Sequence, residues 1–147
     1  MKAFLPKVEI WTDGGCAPNP GKGGWGALLL YEGKELELYG RENHTTNNRM
    51  ELLAVLNALS VLHRPCEVSL YTDSLYVVKG IEERCYMWNK TGWKTQDGSP
   101  VLNSDLWKSI FSLVVRHHLK CYWVKGHSGI PNNERVDSLA TLGRCYV

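Results

Sequence analysis

The run from Asn47 to Leu62 constrains this chain more than any other segment. Met50, Leu52, Leu53, Ala54, Val55, Leu56, Ala58, Leu59, Val61 and Leu62 cover most of the circumference of a helix, and a helix that is apolar nearly all round has to be buried. Thr46 or Asn47 is available as its N-cap, and Glu51 falls in its early turns. The spacing therefore predicts a carboxylate held inside an apolar wall. A length of 147 residues suits one domain around one core, burying roughly two-thirds of the unfolded surface, so a single domain over 1–147 is expected.

The segments on either side of that helix read as strands. Lys7 to Asp13, Gly24 to Tyr31 and Lys34 to Gly40 alternate with Gly-containing breaks and predict an antiparallel meander, the Gly- and Pro-rich stretch Gly14 to Gly23 being an irregular loop. Glu67 to Thr72 follows Pro65 as a fourth strand, which closes a strand-helix-strand unit with parallel pairing. Asp73-Ser74 can cap a short helix after that strand. The polar, irregular stretch from Glu82 to Asn103 reads as a helical turn followed by an exposed loop, and Asn103 or Ser104 then caps a helix reaching about His118. Leu119 to Val124 makes a fifth strand, Lys125 to Pro131 a loop, and Asn132 or Asn133 opens a last helix to about Gly143. This order describes an α/β three-layer sandwich around a mixed five-stranded sheet flanked by helices. Trp11, Trp25, Trp107 and Trp123 are expected in its core.

Two aspartates end predicted strands, Asp13 and Asp73; Glu51 lies on the buried helix between them, and Asp137 on the last helix. Strand ends of an open α/β sheet are where sites form. If the first and fourth strands are neighbours, the four carboxylates converge. One pair at about 4 Å, with an effective dielectric near 20, repels by about 4 kcal/mol, so such a cluster protonates in part or binds cations. Oxygen-only donors select a hard ion, and Mg²⁺ pairs a few such ligands with waters and substrate phosphates. Two ions about 3.5 to 4 Å apart serve phosphodiester hydrolysis.

Composition narrows the alternatives. The formal charge of +2 is too small for a domain dominated by phosphate contacts, so any basic patch is local. No apolar stretch is long enough to span a bilayer, and no secretory signal pattern opens the chain. The five cysteines, Cys16, Cys66, Cys85, Cys121 and Cys145, form an odd set without C-x-x-C spacing, which argues against a disulfide framework or structural zinc and for reduced thiols in the cytoplasm.

The blocks Trp11-Thr12-Asp13-Gly14-Gly15, Thr45-Thr46-Asn47-Asn48-Arg49-Met50-Glu51, Tyr71-Thr72-Asp73-Ser74, Trp93-Lys94-Thr95, Val124-Lys125-Gly126-His127-Ser128-Gly129 and Asn133-Glu134-Arg135-Val136-Asp137 occur in this order across nearly the whole chain. Together they resemble the signature of bacterial type 1 ribonuclease H. The resemblance implies a metal-dependent endonuclease that cuts the RNA strand of RNA–DNA hybrids and leaves 5′-phosphate and 3′-hydroxyl ends. Asp13, Glu51, Asp73 and Asp137 would be the ligands of two Mg²⁺ ions, with Mn²⁺ an alternative, and His127 a mobile histidine that assists proton transfer or product departure. By the same resemblance Cys16, Asn19, Asn47 and Asn48 would read the minor groove and sugar hydroxyls, while Thr46 and Asn103 would hold a phosphate of the DNA strand.

Trp88, Lys90, Trp93 and Lys94 mix aromatic and basic residues as a surface tracking a phosphate backbone would, and they resemble the basic handle of that family. This chain departs there: Arg84 stands where tryptophan is common, Met87 and Thr91 lie in a usually more basic stretch, and Glu83 and Asp97 add negative charge. Gly15 replaces a usual serine and Leu75 a common glutamine. The rival readings are a DNA resolvase, integrase or exonuclease with a similar cluster, a hybrid-binding module without catalysis, and the nuclease domain of a reverse transcriptase. Met1 and the complete motif set favour a stand-alone protein, and the nearly neutral charge makes a monomer without an obligate protein partner the expectation.

Overall fold

A computed structural model of the chain describes residues 4–145; Met1, on which the stand-alone expectation drew, lies outside them. The elements are β1 (Lys7–Ala17), β2 (Gly21–Tyr31), β3 (Lys34–Thr45), α1 (Asn47–Ser60), β4 (Glu67–Thr72), α2 (Leu75–Lys79), a π-helical turn (Gly80–Arg84), α3 (Cys85–Lys90), α4 (Ser104–Val114), β5 (His118–Trp123) and α5 (Pro131–Cys145). The five strands form one sheet in the order β3-β2-β1-β4-β5, antiparallel from β3 to β1 and parallel from β1 to β5.

Alternation along the strands sends Val8, Ile10, Ala27, Leu29, Val68 and Leu70 to one face. There α1 and α4 bury Leu52, Val55, Leu59, Trp107 and Ile110 against them. Trp11 and Leu28 point to the other face and meet Val136 and Leu139 of α5. The three-layer α/β sandwich expected from the sequence is the observed one, and α1 is buried as its apolar circumference requires. Thr46 caps α1, its hydroxyl accepting the Arg49 backbone N–H at 3.3 Å. Thr46→Ala is expected to cost about 1 kcal/mol and Thr46→Ser, which keeps the capping hydroxyl, close to nothing, read from urea midpoints; an alanine midpoint equal to that of wild type would remove the cap from the stability of α1.

The stretch expected to be an irregular loop is mostly strand. β1 continues to Ala17 and pairs Gly14 with Trp25, Gly15 with Gly24 and Cys16 with Gly23, leaving only residues 18–20 as a turn. Its glycines serve close packing: a Cβ at Gly14 would fall 2.4 Å from the Met50 carbonyl carbon of α1, and one at Gly24 2.1 Å from the Ala140 carbonyl oxygen of α5. Helices therefore rest directly on both faces of this glycine-lined extension.

Two further expectations are corrected. The helix expected to reach His118 stops at Val114, where its apolar seam of Leu106, Trp107, Ile110 and Val114 ends, and β5 begins at His118. Trp123 is not core; it is 50% exposed on the edge strand β5, its indole N–H donating to the Asp73 carbonyl at 3.1 Å. Just ahead of the polar stretch, Gly80 opens the π turn against fully buried Trp107. Glu82 from that turn accepts the Cys121 N–H at 2.7 Å, satisfying a backbone donor of the edge strand.

Candidate active site

The parallel pairing of β1 with β4 ends at the rung Trp11–Tyr71. Asp13 and Asp73 each stand two residues past that rung, at matching positions, and the sheet opens between them. Gly14, having no side chain, lets the first turns of α1 lie against β1, and Glu51 reaches over to join them. One carboxylate oxygen from each of Asp13, Glu51 and Asp73 lies within 4.8 Å of the others. Asp137 approaches from α5 and shares a hydrogen bond with the Asp13 carboxyl.

Asp13 and Glu51 are buried, Asp73 and Asp137 half-buried, and the negative charge they concentrate is poorly compensated. Burial, then the charge of Asp73 and the hydrogen bond with Asp137, push the Asp13 carboxyl up to about 8, against the opposing Gly14 N–H. Glu51 rises well above the ordinary carboxylate range, first through burial and then through the charges of Asp13 and Asp73. Its Oε1 is buried without a hydrogen-bond partner. An orphaned buried oxygen beside two more carboxylates is a donor set fitted to a hard divalent cation.

Asp73 is positioned from two sides. The Asn133 side chain, 2% exposed, donates to its Oδ2 at 3.4 Å, and a Cβ at Gly126 would fall 2.6 Å from the same oxygen. That glycine leads into the loop carrying His127, which is exposed with φ +54°, in the left-handed region. The structure thus brings His127 to the rim of the site while leaving its ring outside the cluster.

Around the N-terminus of α1 a second group converges. Asn47 accepts the Cys16 N–H at 2.8 Å; Asn19 accepts the Asn47 N–H at 3.3 Å and the Cys16 thiol at 3.4 Å. Asn19, Thr46, Asn47, Asn48 and Asn103 line one cavity of about 350 Å³. Asn103, at φ +60°, is fixed at both ends of its amide. Its Oδ1 accepts from Arg49 at 3.2 Å and its Nδ2 donates to the Tyr76 hydroxyl at 3.1 Å. Arg49 in turn holds Asp105 at 2.9 Å, which ties α1 to α4. A larger cavity, about 630 Å³, lies at the far end of α1 around Val8, Leu29, Val61 and Leu62, and none of the four carboxylates lines it.

The RNase H family model matches residues 6–144. The chain is 57% identical to the ribonuclease H of Nitrosospira multiformis, over 97% of this chain and 93% of that one. It is 56% identical to the ribonuclease HI of Caulobacter vibrioides, over 95% and 94%. The chain belongs to the RNase H family. Among solved structures, LC9-RNase H1, a type 1 RNase H with the type 2 active-site motif, superposes with a TM-score of 0.85 at 29% identity, covering 98% of this chain and 74% of that one. These matches establish an enzyme of the bacterial ribonuclease HI type.

Within this ribonuclease H, the handle differs from its reading in the sequence. Lys90 and Lys94 are exposed, but Trp93 is buried, its ring packed near those of Trp88 and Phe111 at 6.3 and 5.9 Å, and Trp88 is half-buried beside Trp107. The Trp93 ring is core, and the basic side chains Lys90 and Lys94 are what this stretch leaves exposed around half-buried Trp88. Sequence reasoning also missed Asn133, read only as a possible cap, and the Tyr76–Asn103–Arg49 clamp. The signal for Asn133 was present: it precedes Asp137 by four residues, so both share one face of α5.

Proposed function

We propose that this chain, as a single catalytic domain, hydrolyses the RNA strand of RNA–DNA hybrids and leaves 5′-phosphate and 3′-hydroxyl ends. The observation that carries the reading is the convergence of Asp13, Glu51 and Asp73 within 4.8 Å at the end of the parallel rungs, with a Glu51 oxygen buried and unpartnered. Asp13, Glu51, Asp73 and Asp137 would hold two divalent cations, Mg²⁺ or alternatively Mn²⁺. Such ions, when bound, lower the pKa of water and neutralise charge developing on the phosphate.

The chain's own residues orient and select. Asn133 holds the Asp73 carboxylate in place, and the Gly14 N–H steadies Asp13 and Glu51. His127, exposed at the rim, carries a proton to or from the reacting strand. Cys16, Asn19, Asn47 and Asn48 present small polar groups to the minor groove, where a 2′-hydroxyl distinguishes RNA from DNA. Thr46 and Asn103 hold a phosphate of the uncut strand, the amide of Asn103 keeping one N–H beyond that given to Tyr76. Lys90 and Lys94, with half-buried Trp88, extend contact along the backbone. LC11-RNase H1, whose structure was solved with an RNA/DNA hybrid, shares the fold at a TM-score of 0.69. No helix among the described residues is long and apolar enough to cross a membrane, and we expect a cytoplasmic monomer.

The test offers end-labelled RNA–DNA hybrid, RNA duplex and DNA duplex with Mg²⁺ or EDTA. Cutting confined to the RNA strand of the hybrid, and only with metal, is the expected result. Cutting of the DNA duplex would move the assignment to a resolvase-like activity, and cutting in EDTA would end the metal-dependent reading.

A further inference from the structure

Asp137, Thr141 and Arg144 fall at i, i+4 and i+7 along α5 and so share one face of the helix. That face closes a small cavity of about 70 Å³ whose opposite wall is Asp13, Gly14 and Gly15 of β1. Arg144 lies two turns past Asp137, about 10 Å farther along the axis. Long helical side chains lean towards the helix N-terminus, the direction of Asp137, and Arg144 lines the same cavity as the two carboxylates.

The backbone carrying Arg144 is fixed. A Cβ at Gly24 would lie 2.5 Å from the Arg144 nitrogen, and one at Gly143 2.3 Å from the Gly40 carbonyl oxygen, so the last turn of α5 rests directly on β2 and β3. Arg49 and Arg135 commit their guanidinium groups to Asp105, Glu35 and Glu37. Arg144 makes no ion pair among the described residues, although two acids line its cavity. The Thr141 hydroxyl is engaged by the Asp137 carbonyl at 3.2 Å. Half-buried Arg144 is thus a cation with donors to spare, held beside the carboxylates and not on them.

A ligand that meets cation-loaded carboxylates at one end of this cavity and a guanidinium at the other is a chain of regularly spaced anions. A nucleic-acid strand supplies one phosphate per 3.4 Å of rise or so, and the guanidinium fork matches phosphate oxygens bidentately. β3 adds Arg41, the register partner of Gly24, on the same side of the sheet. We infer that Arg144 is a phosphate-anchoring residue, binding an RNA-strand phosphate adjacent to the one being cut. The inference rests on the carboxylate cluster being the cleavage site; the phosphates beside the cut belong to the same strand.

The experiment compares wild type, Arg144→Ala and Arg144→Lys on an RNA–DNA hybrid whose short ribonucleotide block fixes the cut, across a salt series with Mg²⁺. Arg144→Ala is expected to raise KM about fivefold to tenfold with kcat within about twofold, and to make log kcat/KM against log salt shallower by about 0.7 to 0.9. Arg144→Lys, which keeps the charge, restores most of that slope. A neutral methylphosphonate is then moved along the RNA strand. At one position next to the cut, wild type loses what Arg144→Ala loses on the natural strand, and the variant loses nothing more. Unchanged KM and slope while wild type cleaves the hybrid would overturn the anchor. So would additive losses at every position, which signal diffuse charge. Should the alanine variant not fold, Arg144→Gln carries the same readings. A wild type that leaves the hybrid intact takes down the cluster assignment and the anchor with it, and that lane alone tells the two failures apart.

Discussion

Replacing Asp13 by Asn is expected to lower hybrid cleavage roughly a thousandfold or more and, without metal, to raise the melting temperature at pH 7. Both effects come from the same crowding. The Asp13 carboxyl stands at about 8 in the folded chain against an ordinary 3.8. With the folded value raised, the stability contributed by the protonated form is complete below about pH 4 and drains away as the pH climbs to about 8. The amide mimics the protonated acid at every pH. Wild type and variant should therefore melt together near pH 4 and part progressively up to pH 8, by several degrees. Mg²⁺ should narrow the gap by stabilising wild type alone. Thermal melts at pH 4, 6 and 8, with and without Mg²⁺, read this directly. Parallel melting curves at all three pH values would contradict the crowding, and retained cleavage would remove Asp13 from the chemistry.

Gly14→Ala carries the second large effect. The added methyl would sit 2.4 Å from the Met50 carbonyl carbon and 2.6 Å from the Glu51 nitrogen. Both are backbone atoms of α1, which a rotamer change does not relieve. The helix has to back away from β1, at a cost on the order of 3 kcal/mol, and it takes Glu51 with it. A displacement near 1 Å at a reacting centre costs roughly a hundredfold in rate, so cleavage should fall even in protein that remains folded. Urea unfolding and single-turnover cleavage at a temperature where circular dichroism shows intact fold separate the two losses. A variant of wild-type stability and rate would mean that α1 does not rest on Gly14.

How far the chain could be read beforehand depended on whether the property was local. Alternation and the nearly all-apolar run after Asn47 gave the strands, α1 and the three layers, since burial follows from which faces are apolar. Asp13 and Asp73 showed as strand-terminal acids, although in the fold Asp13 lies inside an eleven-residue strand; what ends beside it is the pairing with β4. The stretch from Gly14 to Gly23 misled because glycine marks a turn and a close helix contact alike, and only the positions of α1 and α5 tell these apart. Trp93 misled for a similar reason. A tryptophan among lysines reads as surface until Phe111 and Trp88 are found packed around it.

The sequence by itself determined the element order, the buried helix with its carboxylate, the four acids and the family resemblance, because each is written in spacing along the chain. Tertiary structure alone decided that β1 and β4 are neighbours, that a Glu51 oxygen is left without a partner, that Asn133 reaches Asp73 and that Arg144 borders the cavity of Asp13 and Asp137. These facts depend on distances between residues remote in sequence. Such distances are set by how closely helices settle on the sheet, and here glycine contacts at Gly14, Gly24 and Gly143 fix that approach.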